Sequence, residues 1–229
     1  MLTLGIETSG NIAAAAVCSE NEVLGSVSIK TRLTHSQVIL PLVKKLLSDA
    51  EIDIRDIDCV AVANGPGSYT GLRIGIAAVK GICMATGAKC CGVSTLKELA
   101  YNLRSADSTV FSVMKARKGV VYFGAYKVHN GNISCIYSDR VCRAEEISKL
   151  YGRTDGDIIL AGDCCEEIKL ELFSDCDRVR LAPPESRLQN AVSVCYAAID
   201  ETDTHIDAGL LNASYLQKTK AEKDKAHSN

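Results

Sequence analysis

Leu2-Thr3-Leu4-Gly5-Ile6 runs into the turn cluster Glu7-Thr8-Ser9-Gly10, and Ile12-Ala13-Ala14-Ala15-Ala16-Val17-Cys18 follows at once. Glu20-Asn21-Glu22 then turns the chain into a third β-rich run, Val23 to Ile29. Three strands joined by short turns make an antiparallel meander. Outward from it, Ser36 to Ala50 has helical spacing, and Cys59 to Ala63 is short and apolar throughout, the pattern of a buried strand. Thr70 to Thr86 forms a second helix and Cys90 to Val93 a further strand. Ser94 caps a helix running to about Asn102, with Glu98 close to capping-box spacing.

The remainder repeats this order. Thr109 to Met114 and Val120 to Val128 are strands around a turn at Ala116 to Gly119. His129-Asn130-Gly131-Asn132 is a hairpin signal, and Ile133 to Tyr137 is the third strand. A helix over Ala144 to Tyr151, a buried strand over Asp157 to Ala161, short helical and strand segments, and a last helix from Ser186 or Asn190 to about Glu201 complete the series. Each half reads three strands, helix, strand, helix, strand, helix. That is the ribonuclease-H-like order, and two copies in tandem describe the α/β architecture of actin and the heat-shock-chaperone ATPases. The reading divides the chain into residues 1–105, a reduced second copy at 106–217, and a charged tail at 218–229.

The totals agree with a globular protein. The 229 residues suffice for one large or two small cores. A net charge of −2 gives no sign of a nucleic-acid or membrane binder. The eleven cysteines include no Cys-x-x-Cys pair, and several lie in apolar runs, where a thiol acts as a small hydrophobe. This usage, with no signal-like N-terminus and no run of membrane-spanning length, is what a cytoplasmic protein would show.

The sharpest local feature is Asn64-Gly65-Pro66-Gly67-Ser68-Tyr69-Thr70-Gly71-Leu72-Arg73-Ile74-Gly75, between a buried strand and a helix. A glycine loop at a helix N-terminus can cradle phosphate. The Walker loop, however, needs Lys and Ser or Thr after its last glycine, where Leu72 and Arg73 stand, and the dinucleotide fingerprint needs glycine at Thr70. A tight turn with close helix packing is the simpler reading.

This loop also resembles the signature of the TsaB family. Gly5-Ile6-Glu7-Thr8-Ser9, His35-Ser36 with Leu40-Pro41-Leu42, Gly92-Val93-Ser94-Thr95-Leu96, Ala116-Arg117-Lys118-Gly119 and Tyr215-Leu216 are similar to further segments of that family, in the same order. The resemblance implies an actin-like fold and a non-catalytic subunit. Its partners would be the paralogous transferase TsaD and the ATPase TsaE. Together they transfer threonylcarbamoyl to the adenosine beside the anticodon of tRNAs, and tRNA would be met only through that complex. TsaB-family sequences carry an aspartate where this chain has Lys115.

Catalytic groups are sparse. The ATPases of this fold handle phosphate and metal at the turn after each half's first strand. Here those turns hold Glu7-Thr8-Ser9 and Lys115-Ala116-Arg117-Lys118, and only the first has a carboxylate. Glu7, Thr8, Ser9, Arg117 and Lys118 are therefore candidates for weak phosphate contacts at most. ATP or ADP would bind weakly or at the interface of the complex, with no tightly held cofactor. His35, His129, His205 and His227 lack the one-turn spacing of a metal pair, against a glycoprotease-like metal centre. An independent ATPase or kinase is the rival reading, and a metalloprotease a weaker one.

The two first-half helices carry wide apolar arcs. On a wheel of ~100° per residue, Val38, Ile39, Leu40, Leu42, Val43, Leu46 and Leu47 spread over about 200°, twice what one sheet requires. Between Leu72 and Ala85 only Arg73 and Lys80 are charged, and Gly71, Gly75 and Ala78 form a small face for close approach of another backbone. Both helices need cover on two sides. The second cover is either the rest of the chain or another protein, and the residues leave the two open. The resemblance favours a partner, with Leu40, Val43, Leu47, Arg73, Ala77 and Lys80 as contact candidates, and a homodimer when the chain is alone.

Overall fold

The computed structural model describes residues 1–30 and 33–217; the charged tail assigned to 218–229 lies outside the described residues. The meander is β1 (Thr3–Glu7), β2 (Ile12–Cys18) and β3 (Val23–Lys30), followed by α1 (His35–Asp49), β4 (Cys59–Gly65), α2 (Tyr69–Thr86), β5 (Lys89–Ser94) and α3 (Thr95–Tyr101). The second series is β6 (Ser108–Arg117), β7 (Val120–His129), β8 (Asn132–Arg143), α4 (Glu146–Tyr151), β9 (Ile158–Ala161), α5 (Cys165–Phe173), β10 (Val179–Leu181) and α6 (Ala191–Asp200).

The two sheets have the same topology. The first runs β3-β2-β1-β4-β5, and the second, read from its long edge, β8-β7-β6-β9-β10. In each, the meander is antiparallel and the last two strands join in parallel. This is a duplicated ribonuclease-H-like fold, the actin architecture.

Alternation along the strands assigns the faces. Leu4, Ile6, Val60 and Val62 point to α1 and α2, whose Ile39, Val43, Leu46, Leu47, Ile76 and Val79 complete that core. The opposite face is built of small residues, Ala14, Ala16, Cys18, Cys59, Ala61 and Ala63. Onto it packs α6, through Ala191, Val194, Cys195 and Ala198. A Cβ on Gly5 would lie 2.4 Å from the Ala191 carbonyl oxygen, so glycine sets the closeness of this contact. Cysteine serves here as a compact apolar residue, as its place in apolar runs led one to expect: Cys18, Cys59 and Cys195 are fully buried.

The last helix thus covers the first sheet. Reciprocally, α3 lays Leu96, Leu99 and Ala100 on the second sheet, against Val110, Tyr126 and Val128. The far face of that sheet packs Phe111, Phe123 and Leu160 against Ile147 of α4 and Ile168 of α5. Each half lends the other a helix, and α3 and α6 form the seam between them.

Candidate functional site

The glycine loop locks onto the turn after β1. Ser68 donates its backbone N–H to the Ser9 carbonyl at 2.7 Å, and Thr8 Oγ1 donates to the Gly71 carbonyl at 2.8 Å. A Cβ on Gly71 would sit 2.1 Å from the Thr8 carbonyl oxygen, and one on Gly75 2.4 Å from Thr8 Oγ1. The small face of α2 is therefore used inside the molecule: the backbone that comes close is the chain's own. Ser68 also caps α2, its Oγ accepting from Gly71 N–H at 3.2 Å. Donors that a phosphate would need are partly spent on this interlock.

The candidate phosphate residues separate into two groups. Glu7 and Thr8 are 0% exposed and Ser9 1%, so none of the three presents a polar atom to solvent. Glu7 Oε1 accepts from Ser9 N–H at 2.5 Å and Ser9 Oγ–H at 2.6 Å, and burial pushes its carboxyl up to about 7. Arg117 and Lys118 remain exposed at the tip of the β6–β7 hairpin. Lys115 pairs with Glu167 at 3.1 Å, while its N–H is taken by Asp163 at 2.8 Å. Beside the first turn, the Gln189 side chain packs on Gly10 and is itself 4% exposed. A magnesium–phosphate group needs ionised oxygens facing open space. A sequestered carboxyl, a filled turn and a lysine already paired do not fit it. What remains open is a cleft of about 340 Å³ whose lining includes Lys30, Asp163, Glu166 and Arg187, the last two already bonded to each other.

The partner-contact candidates divide likewise. Val43 and Leu47 are buried, facing the sheet, because they share the i, i+4 stripe with Ile39. The wheel did not assign their direction; turned inward, they floor a shallow groove of about 490 Å³ between α1 and α2, with Ile82. Its rim is Leu40, 50% exposed, with Lys44 and Ser48. Pro41 is exposed beside Leu40 and lines an adjoining depression. On α2, Arg73 and Ala77 are exposed, Lys80 is half-buried, and Met84 is 82% exposed.

Part of α2 is roofed by the chain itself. A strap from Ile206 to Tyr215 pairs with β5 through reciprocal Cys90–Ile206 backbone hydrogen bonds, buries Leu211 in the first core, and gives Ser214 N–H to Asn64 O at 2.7 Å. Arg73 lies 4.1 Å over the Tyr69 ring and donates from Nε to Tyr215 Oη at 3.2 Å. The strap thus borders the Arg73–Lys80 stripe and leaves the Leu40 rim uncovered among the described residues. Pro41, Met84 and the strap were not singled out by the helical wheel. Met84 was detectable as an apolar residue on the Lys80 side of α2; the strap lacks periodicity, and only Tyr215 at its end stood out, through the family resemblance.

The sequence model of the family described as TsaD, tRNA N6-adenosine threonylcarbamoyltransferase, matches residues 17–174. The Bacillus subtilis tRNA threonylcarbamoyladenosine biosynthesis protein TsaB is 30% identical over 162 residues, 71% of each chain. Its Buchnera aphidicola (Schizaphis graminum) namesake is 27% identical, over 81% of this chain and 90% of the relative. A Pseudomonas aeruginosa structure described as similar to peptidase YeaZ superposes with a TM-score of 0.78 at 23% identity, over 94% of this chain and 99% of that one.

Proposed function

The chain belongs to the TsaB family, and from that premise we propose that it is the non-catalytic subunit of a tRNA threonylcarbamoyladenosine synthesis complex, docking a TsaD-type transferase through α1 and α2. The observation that carries this reading is the groove between those helices. Its floor of Val43, Leu47 and Ile82 is apolar, and its rim is left open by the described residues. Contiguous apolar surface of this kind is characteristic of association faces. The strap supports the reading from the other side, since it fixes Arg73 at the edge of the same face.

The turn chemistry supports a non-catalytic role. Glu7 is withdrawn from solvent, Gln189 fills the space at Gly10, and the second turn offers lysine and arginine in place of a carboxylate. Nucleotide, on this reading, is held weakly or only at the interface of the complex. TsaE joins the assembly and tRNA meets it through the transferase. When the transferase is absent, the Leu40 face pairs two copies of the chain. The rival ATPase reading draws on the fold and on the cleft at Lys30 and Arg187.

The experiment is reconstitution. The purified transferase of the same organism is assayed for threonylcarbamoyladenosine formation on tRNA with and without this chain. The proposal expects activity to depend on the chain. Equal activity without it, or nucleotide turnover by the chain alone, would overturn the subunit role.

A further inference from the structure

Glu7, at the end of β1, and Glu98, on α3, are both 0% exposed. Glu7 Oε1 is satisfied by Ser9, and Glu98 Oε1 accepts from the Asn190 N–H, at the cap of α6, at 2.6 Å. The other oxygen of each, Oε2, is buried and has no hydrogen-bond donor among the described residues. The two carboxyls contact each other. Neither forms an ion pair among the described residues.

Two ionised carboxylates so placed would repel in a medium that solvates neither. A proton on one supplies the donor that both Oε2 atoms lack, leaving one charge shared by the pair. We infer that Glu7 and Glu98 share a single proton and that this contact is a latch, closing the seam where β1 of the first half meets both crossing helices. The reach of the contact is what makes it a latch. Glu7 belongs to the first sheet, Glu98 to the helix lent to the second sheet, and Asn190 starts the helix that returns to the first.

The latch has a pH signature. Burial raises the Glu98 carboxyl well above the ordinary value, with the neighbouring Glu7 adding to the shift, and burial raises Glu7 to about 7. The other groups acting on the pair are uncharged: Ser9 and Gly10 after β1, and Asn190 of the α6 cap. The folded chain therefore keeps protons that the unfolded chain releases above the ordinary carboxylate range. Stability from this source is whole below that range and declines as pH rises toward the folded values, about tenfold in the folding equilibrium constant per pH unit for each proton retained.

The test compares wild type with Glu98→Gln by urea unfolding at about pH 5.5 and about pH 7. The glutamine amide still donates to Glu7 but cannot titrate. The ratio of the two folding constants should shift by about thirtyfold over that interval, which is one proton's worth; groups away from the pair cancel in the ratio, and Glu7 keeps a side-chain donor in both chains. Parallel pH profiles would overturn the shared proton. Should Glu98→Gln fail to fold, infrared spectroscopy of the wild type at about pH 7 decides: a protonated-carboxyl carbonyl band is expected, and its absence refutes the inference. The latch itself is read by hydrogen exchange at the Ser9 and Asn190 amides. Exchange should accelerate in Glu98→Ala and not in Glu98→Gln; equal protection in Glu98→Ala and wild type overturns the latch.

Discussion

The ring of Tyr215, on the C-terminal strap, lies 5.0 Å centroid to centroid from that of Tyr69, the first residue of α2, tilted by 30°. With the Arg73 guanidinium over Tyr69 and hydrogen-bonded to Tyr215, the three side chains fasten the end of the described chain to the start of the helix proposed for docking. Tyr215→Ala removes the stack and the acceptor together. An aromatic pair is worth roughly 1 kcal/mol beyond its buried area. Tyr215 is 43% exposed, so the expected loss by urea unfolding is about 1 kcal/mol and no more. Hydrogen exchange at the Ser214 amide, held by Asn64, should accelerate alongside.

Two glycines of α2 should respond in opposite directions. Gly71→Ala drives a methyl against the Thr8 carbonyl, which is backbone and cannot turn aside. Overpacking of this kind costs about 1–3 kcal/mol, and the upper half of that range is expected. Gly81 has nothing within 4 Å of a built Cβ and sits in the helix interior. Gly81→Ala should therefore stabilise by roughly 0.5–1 kcal/mol. Thermal melts of the two variants check the pair.

Asp139 of β8 accepts from the hydroxyls of Ser94 and Tyr126, and so joins the cap of α3 to the second sheet. Tyr126 is 3% exposed, so its hydroxyl has no water to turn to. Asp139→Ala should cost about 1–3 kcal/mol through that orphaned donor. Asp139→Asn, which keeps an acceptor oxygen, should cost less. Urea midpoints for the two variants give the comparison.

Those residues also mark what the sequence could and could not disclose. The Asn130-Gly131 hairpin was legible because both positions take positive φ, +50° and +77°. The cap at Ser94 was legible for the same kind of reason, a local hydrogen bond at a helix start, and of the two starts open for the last helix, Ser186 and Asn190, it is Asn190 that caps it. The third strand of the second half was expected to end near Tyr137. It runs to Arg143, because Asp139, polar in the string, is turned inward by partners far away in sequence. Glu98 has near-capping-box spacing, yet its carboxyl serves Asn190 and Glu7. The α1 wheel counted apolar residues correctly. It could not tell that Val43 and Leu47 turn to the sheet while Leu40 faces outward, since a 200° arc has no marked centre.

The central claim is that the Leu40 face docks the transferase, and the most direct measurement is complex formation by sedimentation with Leu40→Asp. Leu40 is half exposed and its loss opens no cavity, so the variant should melt within about 0.5 kcal/mol of wild type. A carboxylate buried in an apolar interface costs several kcal/mol, so affinity for the TsaD-type partner should fall by about a hundredfold or more. A folded Leu40→Asp chain that binds the transferase as tightly as wild type would contradict the account.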